Sequence, residues 1–381
     1  MNKKNIYVGL DVHKNENQVA LAFGGRHGEL LEYGRISNDL HALDKLISRL
    51  RKKHTGSNFH FVYEAGPCGF VIYRYLKNKR EDISCIVVAP SKIPKKSGDK
   101  VKTDRRDAIQ LAKLHRSGEL EAIHVPNTED ESIRDLCRAR TATIRDLRSN
   151  RFRLKAFLLR NGYKYQMKTA WTPSHMAYIR GLTLKDEAQK MIVEEYLITL
   201  DLLESKIERY DQMIETQYNT WRWKPAVKAL MGMKGVRLLT AITLISELGD
   251  IRRFHSPRQL MSFLGLTSSE YSSGEGRSQG SISKCGNSHA RSFLVESAQH
   301  YKNPPKISQN LCRRQEGLNP EVKGISWNAQ VRLHKRYWTL VHKGKNNNQA
   351  TVAIARELIG FIWSICKQTP LPFKTETRAC I

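Results

Sequence analysis

The chain has 381 residues, with 64 Lys+Arg against 37 Asp+Glu and a formal net charge of +27. That length provides for roughly two to three domains of about 150 residues each and for a real core. The charge excess points to a polyanionic partner, DNA or RNA, rather than to a merely cationic soluble protein. Seven scattered cysteines, odd in number and without a CxxC pair, argue against a disulfide framework and a zinc finger and suit a reducing cytoplasm. MNKKNIYVGL lacks the apolar core of a signal peptide, and no run of about 18 uncharged apolar residues predicts a membrane span.

Residues 5–12 (NIYVGLDV) read as a buried strand reaching Asp11. Residues 17–24 and 29–36 read as two more strands around GGRHGE. A helix follows with Leu43, Leu46, Ile47 and Leu50 on one face. The strand FHFVYEA carries Glu64 near its end; a short helix near 69–79 and the strand CIVVAP come next. After the basic connector PSKIPKKSGDK, Thr103 can cap a helix that starts at Asp104. Three strands, helix, strand, helix, strand, helix is the order of a ribonuclease-H-like core.

In such a core Asp11 and Glu64 lie side by side, and Asp104 and Asp107, spaced i, i+3, share one helical face. Each acid alone has an ordinary reading: a turn residue, a first-turn helix acid, half of an ion pair. Jointly, in a basic chain, the four predict a Mg²⁺ site, because two carboxylate-held Mg²⁺ ions stabilise both the attacking and the leaving oxygen of a phosphoryl transfer.

Residues 126–163 read as one long helix with an apolar seam. Arg134, Arg138, Arg145 and Arg148 flank the seam and are expected to grip phosphates. Residues 190–217 carry a heptad through Val193, Tyr196, Leu200, Leu203, Ile207, Tyr210 and Ile214. It suits either a coiled-coil dimer, the favoured reading, or an intramolecular hairpin. GMKGV, before an apolar helix within 228–249, resembles a helix-hairpin-helix, which offers backbone N–H groups to a phosphate. The stretch 251–298 is rich in Ser, Gly and bases, with Ser272-Ser273-Gly274 read as a flexible loop near Arg277, Lys284 and Arg291. A serine among cations can attack a phosphodiester, although such loops are usually only loops. Beyond residue 300, Trp327, Tyr337 and Trp338 lie among bases and suit either stacking on unpaired RNA bases or a last helical layer, the latter favoured for Trp338 and Trp363. KGKNNNQA reads as a loop.

YVGLDVHK, YEAGPCG, KTDRRDA and LGLTSSEYSSGEG…GSISKCGNSHAR, in that order over about 5–115 and 225–300, resemble the DEDD transposases of the IS-one-ten family, the bridge-RNA-guided insertion-sequence recombinases. The resemblance implies an α/β plus α chain. A RuvC-like (ribonuclease-H-like) domain would span 1–125, a helical coiled-coil region 126–222, and a mainly helical C-terminal transposase domain with a catalytic serine 223–381. It implies that Asp11, Glu64, Asp104 and Asp107 bind Mg²⁺. It also implies that a serine directly before a glycine, Ser273 with Ser272 as runner-up, forms a covalent link to DNA. Donor and target DNA, a noncoding bridge RNA and a homo-oligomer, a dimer and then a synaptic tetramer, are the implied partners, in a bacterial cytoplasm at the nucleoid. In the oligomer, tetrad and serine of different subunits would meet.

Three rival readings remain. A Holliday-junction-type nuclease would use the acids and no serine. A sugar-kinase-like phosphotransferase should carry glycine-rich phosphate loops, and none is found. An architectural nucleic-acid-binding protein would leave the tetrad unexplained.

Overall fold

Strand β1 (Asn5–Val12) alternates: Ile6, Val8 and Leu10 are buried on one face, and Tyr7, Gly9 and Asp11 take the other. The structure, a computed structural model, describes residues 4–25, 27–79, 82–94, 103–167, 169–184, 186–273 and 276–370. Strands β2 (Glu16–Phe23) and β3 (Leu30–Ser37) extend β1 antiparallel on one side. After helix α1 (Leu40–Lys53), strand β4 (Asn58–Glu64) pairs parallel with β1 on the other side. Helix α2 (Val71–Lys77) then leads to β5 (Ile83–Val88), parallel to β4. The sheet order is β3-β2-β1-β4-β5.

One face of the sheet packs on α1 and α2, through Ile6, Val8, Phe59 and Phe61 against Leu43, Leu46, Ile47 and Leu76. The other face takes α3 (Asp104–Ser117), which is capped by Thr103 accepting from the Arg106 N–H. Gly9 permits that contact: a Cβ there would stand 2.2 Å from the Ala108 carbonyl oxygen and 2.6 Å from the Ala112 nitrogen. Ala20, Ala22, Ala108 and Ala112 complete a layer of small side chains, and Val62, Val88 and Leu111 close it on the β4 side. The first compact unit is Met1–Val125.

The second unit, Pro126–Ile381, begins with α4 (Thr128–Arg160). It continues through α5 (Pro173–Arg180) into α6 (Glu187–Thr220), which runs back antiparallel along α4. The pairings Arg140–Asp211, Arg151–Glu204 and Gln189–Asn161 fix that direction. Val193 and Leu200 are buried with Leu154 and Phe157 of α4. The heptad seam is therefore closed inside the chain. The α4–α6 pairing is the intramolecular hairpin alternative, because α4 offers the complementary apolar stripe at no cost of association.

Helices α7 (Lys224–Met231), α8 (Leu238–Leu248) and α9 (Pro257–Phe263) lead to a hairpin of β6 (Ser268–Ser273) and β7 (Gly276–Ile282). Helices α10 (Ser288–Ala298), α11 (Gln309–Gln315), α12 (Pro320–His342) and α13 (Asn347–Gln368) complete the unit. Among the described residues α13 alone is long and apolar enough to cross a membrane by length and composition. Its Ile354, Leu358, Ile359 and Ile362 are fully buried in this unit's core.

Residues on either side of 222 pack together. Ile133 and Cys137 of α4 and Ile214 of α6 share one core with α8 and α13. Buried Asp130 of α4 accepts a hydrogen bond from the indole N–H of Trp221 at 2.9 Å. Two smaller expectations change as well. Ser272 and Ser273 belong to a strand rather than a loop, and α13 begins inside KGKNNNQA, capped by Asn346. Trp338 is 42% exposed, with its indole N–H donated to the Lys302 carbonyl, whereas Trp363 packs against the core.

Candidate functional site

The register of β1 on β4 runs to Leu10 opposite Tyr63, so the next residues, Asp11 and Glu64, end adjacent strands at one level. Alternation puts Asp11 on the Gly9 face and Glu64 on the Val62 face, which is the face that α3 covers. On α3 the buried stripe Ala108, Leu111, Ala112 continues one turn back to Asp104 and Asp107. Four carboxylates thus share one sheet face and one helix start.

The tightest part is a trio. Ligand atoms of Asp11, His13 and Asp104 all lie within 4.8 Å of one another. His13 Nε2 donates to Asp11 Oδ2 at 3.1 Å and stands 3.7 Å from Asp104 Oδ1. Glu64, half-buried, and Asp107 stand outside this trio. Burial pushes the Asp11 carboxyl above the usual carboxylate range, and the His13 hydrogen bond and charge pull it back. The Asp104 and Asp107 charges push it up again. Clustered carboxylates with one exposed imidazole as counterweight form a donor set suited to a divalent cation.

In the second unit the β6–β7 hairpin springs from a rigid base. Gly265 and Gly286 both have positive φ, 62° and 76°. A Cβ on Gly265 would stand 2.1 Å from the Cys285 carbonyl oxygen, and one on Gly286 would stand 1.9 Å from that of Phe263. The backbone N–H groups of Ser283 and Lys284 donate to Thr267 and Gly265 at 2.8 and 3.1 Å. Arg291 Nη1 donates to the Leu264 and Cys285 carbonyls at 2.9 and 3.2 Å. Ser272 pairs with Arg277 and Ser273 with Gly276 across the hairpin end. The side chains of Ser272, Ser273 and Arg277, and the whole of Gly274, lie outside the described residues.

Comparison with known proteins gives matches that span both regions. A family model described as a transposase matches residues 8–161, and one described as the transposase IS116/IS110/IS902 family matches residues 227–310. A protein of Sinorhizobium fredii named as transposase y4qE is 39% identical over 95% of this chain and 88% of its own length. The transposase for insertion sequence element IS1533 of Leptospira borgpetersenii is 32% identical over 90% of this chain and 99% of its own length. The chain belongs to the IS116/IS110/IS902 family of transposases.

The basic residues of this transposase divide by partner. Arg134 is only 15% exposed and pairs with Glu131 at 3.2 Å. Arg138 grips Glu247 with two hydrogen bonds, at 2.7 and 2.8 Å. With Arg291, which ties the hairpin base, these two have carboxylate or carbonyl partners within the chain. Their partners lie in the same fold and were invisible in helical spacing. Arg145 and Arg148 are exposed with no ion pair among the described residues, and Lys284 is exposed in a left-handed turn at φ 57°.

Two features escaped the sequence reading. One is His13, for which Asp-Val-His at a strand end was the available signal: i and i+2 share a face. The other is Glu247, whose side chain is fully buried. Besides Arg138, it accepts from Asn287 Nδ2 at 2.7 Å and from His289 Nδ1 at 2.9 Å, while His289 Nε2 meets Thr141 Oγ1 at 3.0 Å. Burial pushes the Glu247 carboxyl up, but the hydrogen bonds from His289, Arg138 and Asn287 prevail and hold it down at about 2. The network locks α4, α8 and the start of α10 together beneath the hairpin base. A lone Glu in an apolar helix was the only hint.

Proposed function

We propose that this transposase cuts and rejoins DNA through a Mg²⁺-assisted centre at Asp11, Glu64, Asp104 and Asp107 in a ribonuclease-H-like domain, together with a serine nucleophile, Ser273 or, as runner-up, Ser272. The observation that carries the reading is the meeting of Asp11 and Asp104 around His13 in a chain of net charge +27. Oxygen donors suit Mg²⁺, and His13, a nitrogen donor, then acts as hydrogen-bond partner to Asp11 rather than as ligand. A divalent cation held there supplies Lewis-acid stabilisation of phosphoryl oxygens. The carboxylates orient it, and Asp11 and Asp104 tolerate their mutual repulsion because a cation offsets it.

At the hairpin, the serine Oγ forms a P–O bond to the DNA as the strand's own P–O bond breaks. The phosphodiester is conserved, and the reverse step rejoins a strand. Lys284 stands on the same segment as a cation for the developing charge. Donor and target DNA, a noncoding RNA that pairs with both, and a homo-oligomer complete the proposal, in the cytoplasm of a bacterial cell.

A denaturing gel of the protein with Mg²⁺, its RNA and labelled donor DNA tests it. A labelled protein band that is lost in Ser273→Ala and in Asp11→Ala supports the reading. Cleaved DNA without a protein-linked species, unchanged by Ser273→Ala and Ser272→Ala, would instead make the chain a water-using nuclease.

A further inference from the structure

The bend between α7 and α8 opens onto a cleft of about 900 Å³. Met231, Leu238, Pro305 and Leu311 give it an apolar floor. Lys234, Arg237, Lys306, Arg313 and Arg314 line it too, and no carboxylate does. Its shape is set by Gly235, at φ 78°, where a Cβ would stand 2.6 Å from the Ser297 carbonyl oxygen. Only glycine lets this turn press so closely on α10.

The cations have two different tasks. Lys234 Nζ donates to the Asn303 and Pro304 carbonyls at 3.1 and 2.7 Å, and Arg314 donates to the Val236 carbonyl, so both hold the walls. Arg237, Lys306 and Arg313 are exposed, and their side chains have no partner among the described residues. Burial lowers the affinity of Lys234 and Arg314 for their protons, and the Arg237 charge adds to this at Arg314. His300 is held down in the same way, by burial and then by Arg237 and Lys234. Positive charge is concentrated here against a desolvation cost that an anion would relieve. The first turn of α8, uncapped by any side chain, adds its partial positive charge.

A compact anion would use the rim and leave the floor empty. A nucleic-acid strand uses both, because apolar sugar faces alternate with phosphates. We propose that this cleft binds the sugar–phosphate backbone of DNA, with Arg237, Lys306 and Arg313 on the phosphates. None of its residues belongs to the acidic centre or to the serine hairpin. The inference rests on the nucleic-acid reading of the chain given above.

The test uses the full chain and fluorescence anisotropy with a labelled DNA duplex and an RNA duplex of the same sequence, from about 50 to about 200 mM salt. The triple variant Arg237→Ala, Lys306→Ala, Arg313→Ala should bind DNA at least about tenfold more weakly at about 0.1 M salt. Its log K against log salt should be shallower by about two to three, one unit per lost phosphate contact. Its melting temperature should be unchanged, and the charge-preserving pair Arg237→Lys, Arg313→Lys should keep the wild-type slope. Steep wild-type binding with an unchanged triple variant overturns the cleft and leaves the wider reading standing. A loss confined to the RNA duplex overturns the assignment to DNA. Salt-insensitive wild-type binding sinks the wider reading, and the cleft with it.

Discussion

At the end of β1, Asp11 is crowded by Asp104 and Asp107, with a single exposed imidazole beside it, and its carboxyl is pushed up. On α8, Glu247 is removed from solvent altogether, yet Arg138, Asn287 and His289 surround it, and its carboxyl sits at about 2. Asp11 is partly and Glu247 wholly withdrawn from water, and the two differ in the partners around them. Glu247 takes its positive charge from its own chain, so the centre is complete and acts as a bolt between helices. Among the described residues His13 is the partner seen at Asp11 and Asp104, and the Asp104 and Asp107 charges push the Asp11 carboxyl up. Perturbation alone does not mark function; the direction of the perturbation and its cause distinguish the two cases.

The largest expected effect tests the bolt. Glu247→Ala leaves Arg138, His289 and Asn287 without their acceptor and should cost about 3–5 kcal/mol in denaturant unfolding. The pH dependence gives a second reading of the same centre. The folded carboxyl, at about 2, lies below its ordinary 4.5, so its stabilisation is complete above about 4.5 and is lost as pH falls toward about 2. That share is on the order of 3 kcal/mol, and Glu247→Gln should lack this acid limb. An unaltered acid limb in the Gln variant would break the comparison.

Next in size is Gly9→Ala, which sets a methyl against the α3 backbone. It should destabilise the first unit by about 1–3 kcal/mol, and it should weaken metal-induced stabilisation because the start of α3 moves away from Asp11. Calorimetry with and without Mg²⁺ reads both.

Asp11→Asn sharpens the contrast directly. Without metal its melting temperature should equal or exceed the wild type, since a repulsion is removed. With metal the wild type should gain about 2.7 kcal/mol at a hundredfold excess over Kd, and the variant should gain nothing. Loss of stability in metal-free Asp11→Asn would show that the first centre is a bolt as well.

The smallest effects separate free arginines from committed ones. Arg145→Ala and Arg148→Ala should each change stability by less than about 0.5 kcal/mol and make the salt dependence of DNA binding shallower by about one. Arg138→Ala should do the opposite, lowering stability and leaving that slope unchanged.

Much of the scaffold was legible because period and caps are local. Leu43, Leu46, Ile47 and Leu50 repeat at helical spacing and are all buried on α1, and Thr103 caps the helix that begins at Asp104. Asp11 and Glu64 were legible as neighbours because strand order determines which strand ends share an edge. The arginines of α4 were not, since Arg138 and Arg145 look alike in a helical pattern and differ only in what α8 places opposite them. The heptad of α6 had the same weakness: an apolar seam states that it needs a partner, not which one.

By itself, then, the sequence determined the elements of the first unit, the sheet face that carries Asp11 and Glu64, and the excess of charge. These follow from periodicity, capping and composition, which act over a few residues. Tertiary structure alone decided that α4 covers the α6 seam, that Glu247 is enclosed by Arg138, Asn287 and His289, that His13 joins Asp11 and Asp104, and that five cations line one cleft. Each of these is set by packing between residues far apart in the chain, where burial makes every charge depend on its neighbours and no local pattern records them.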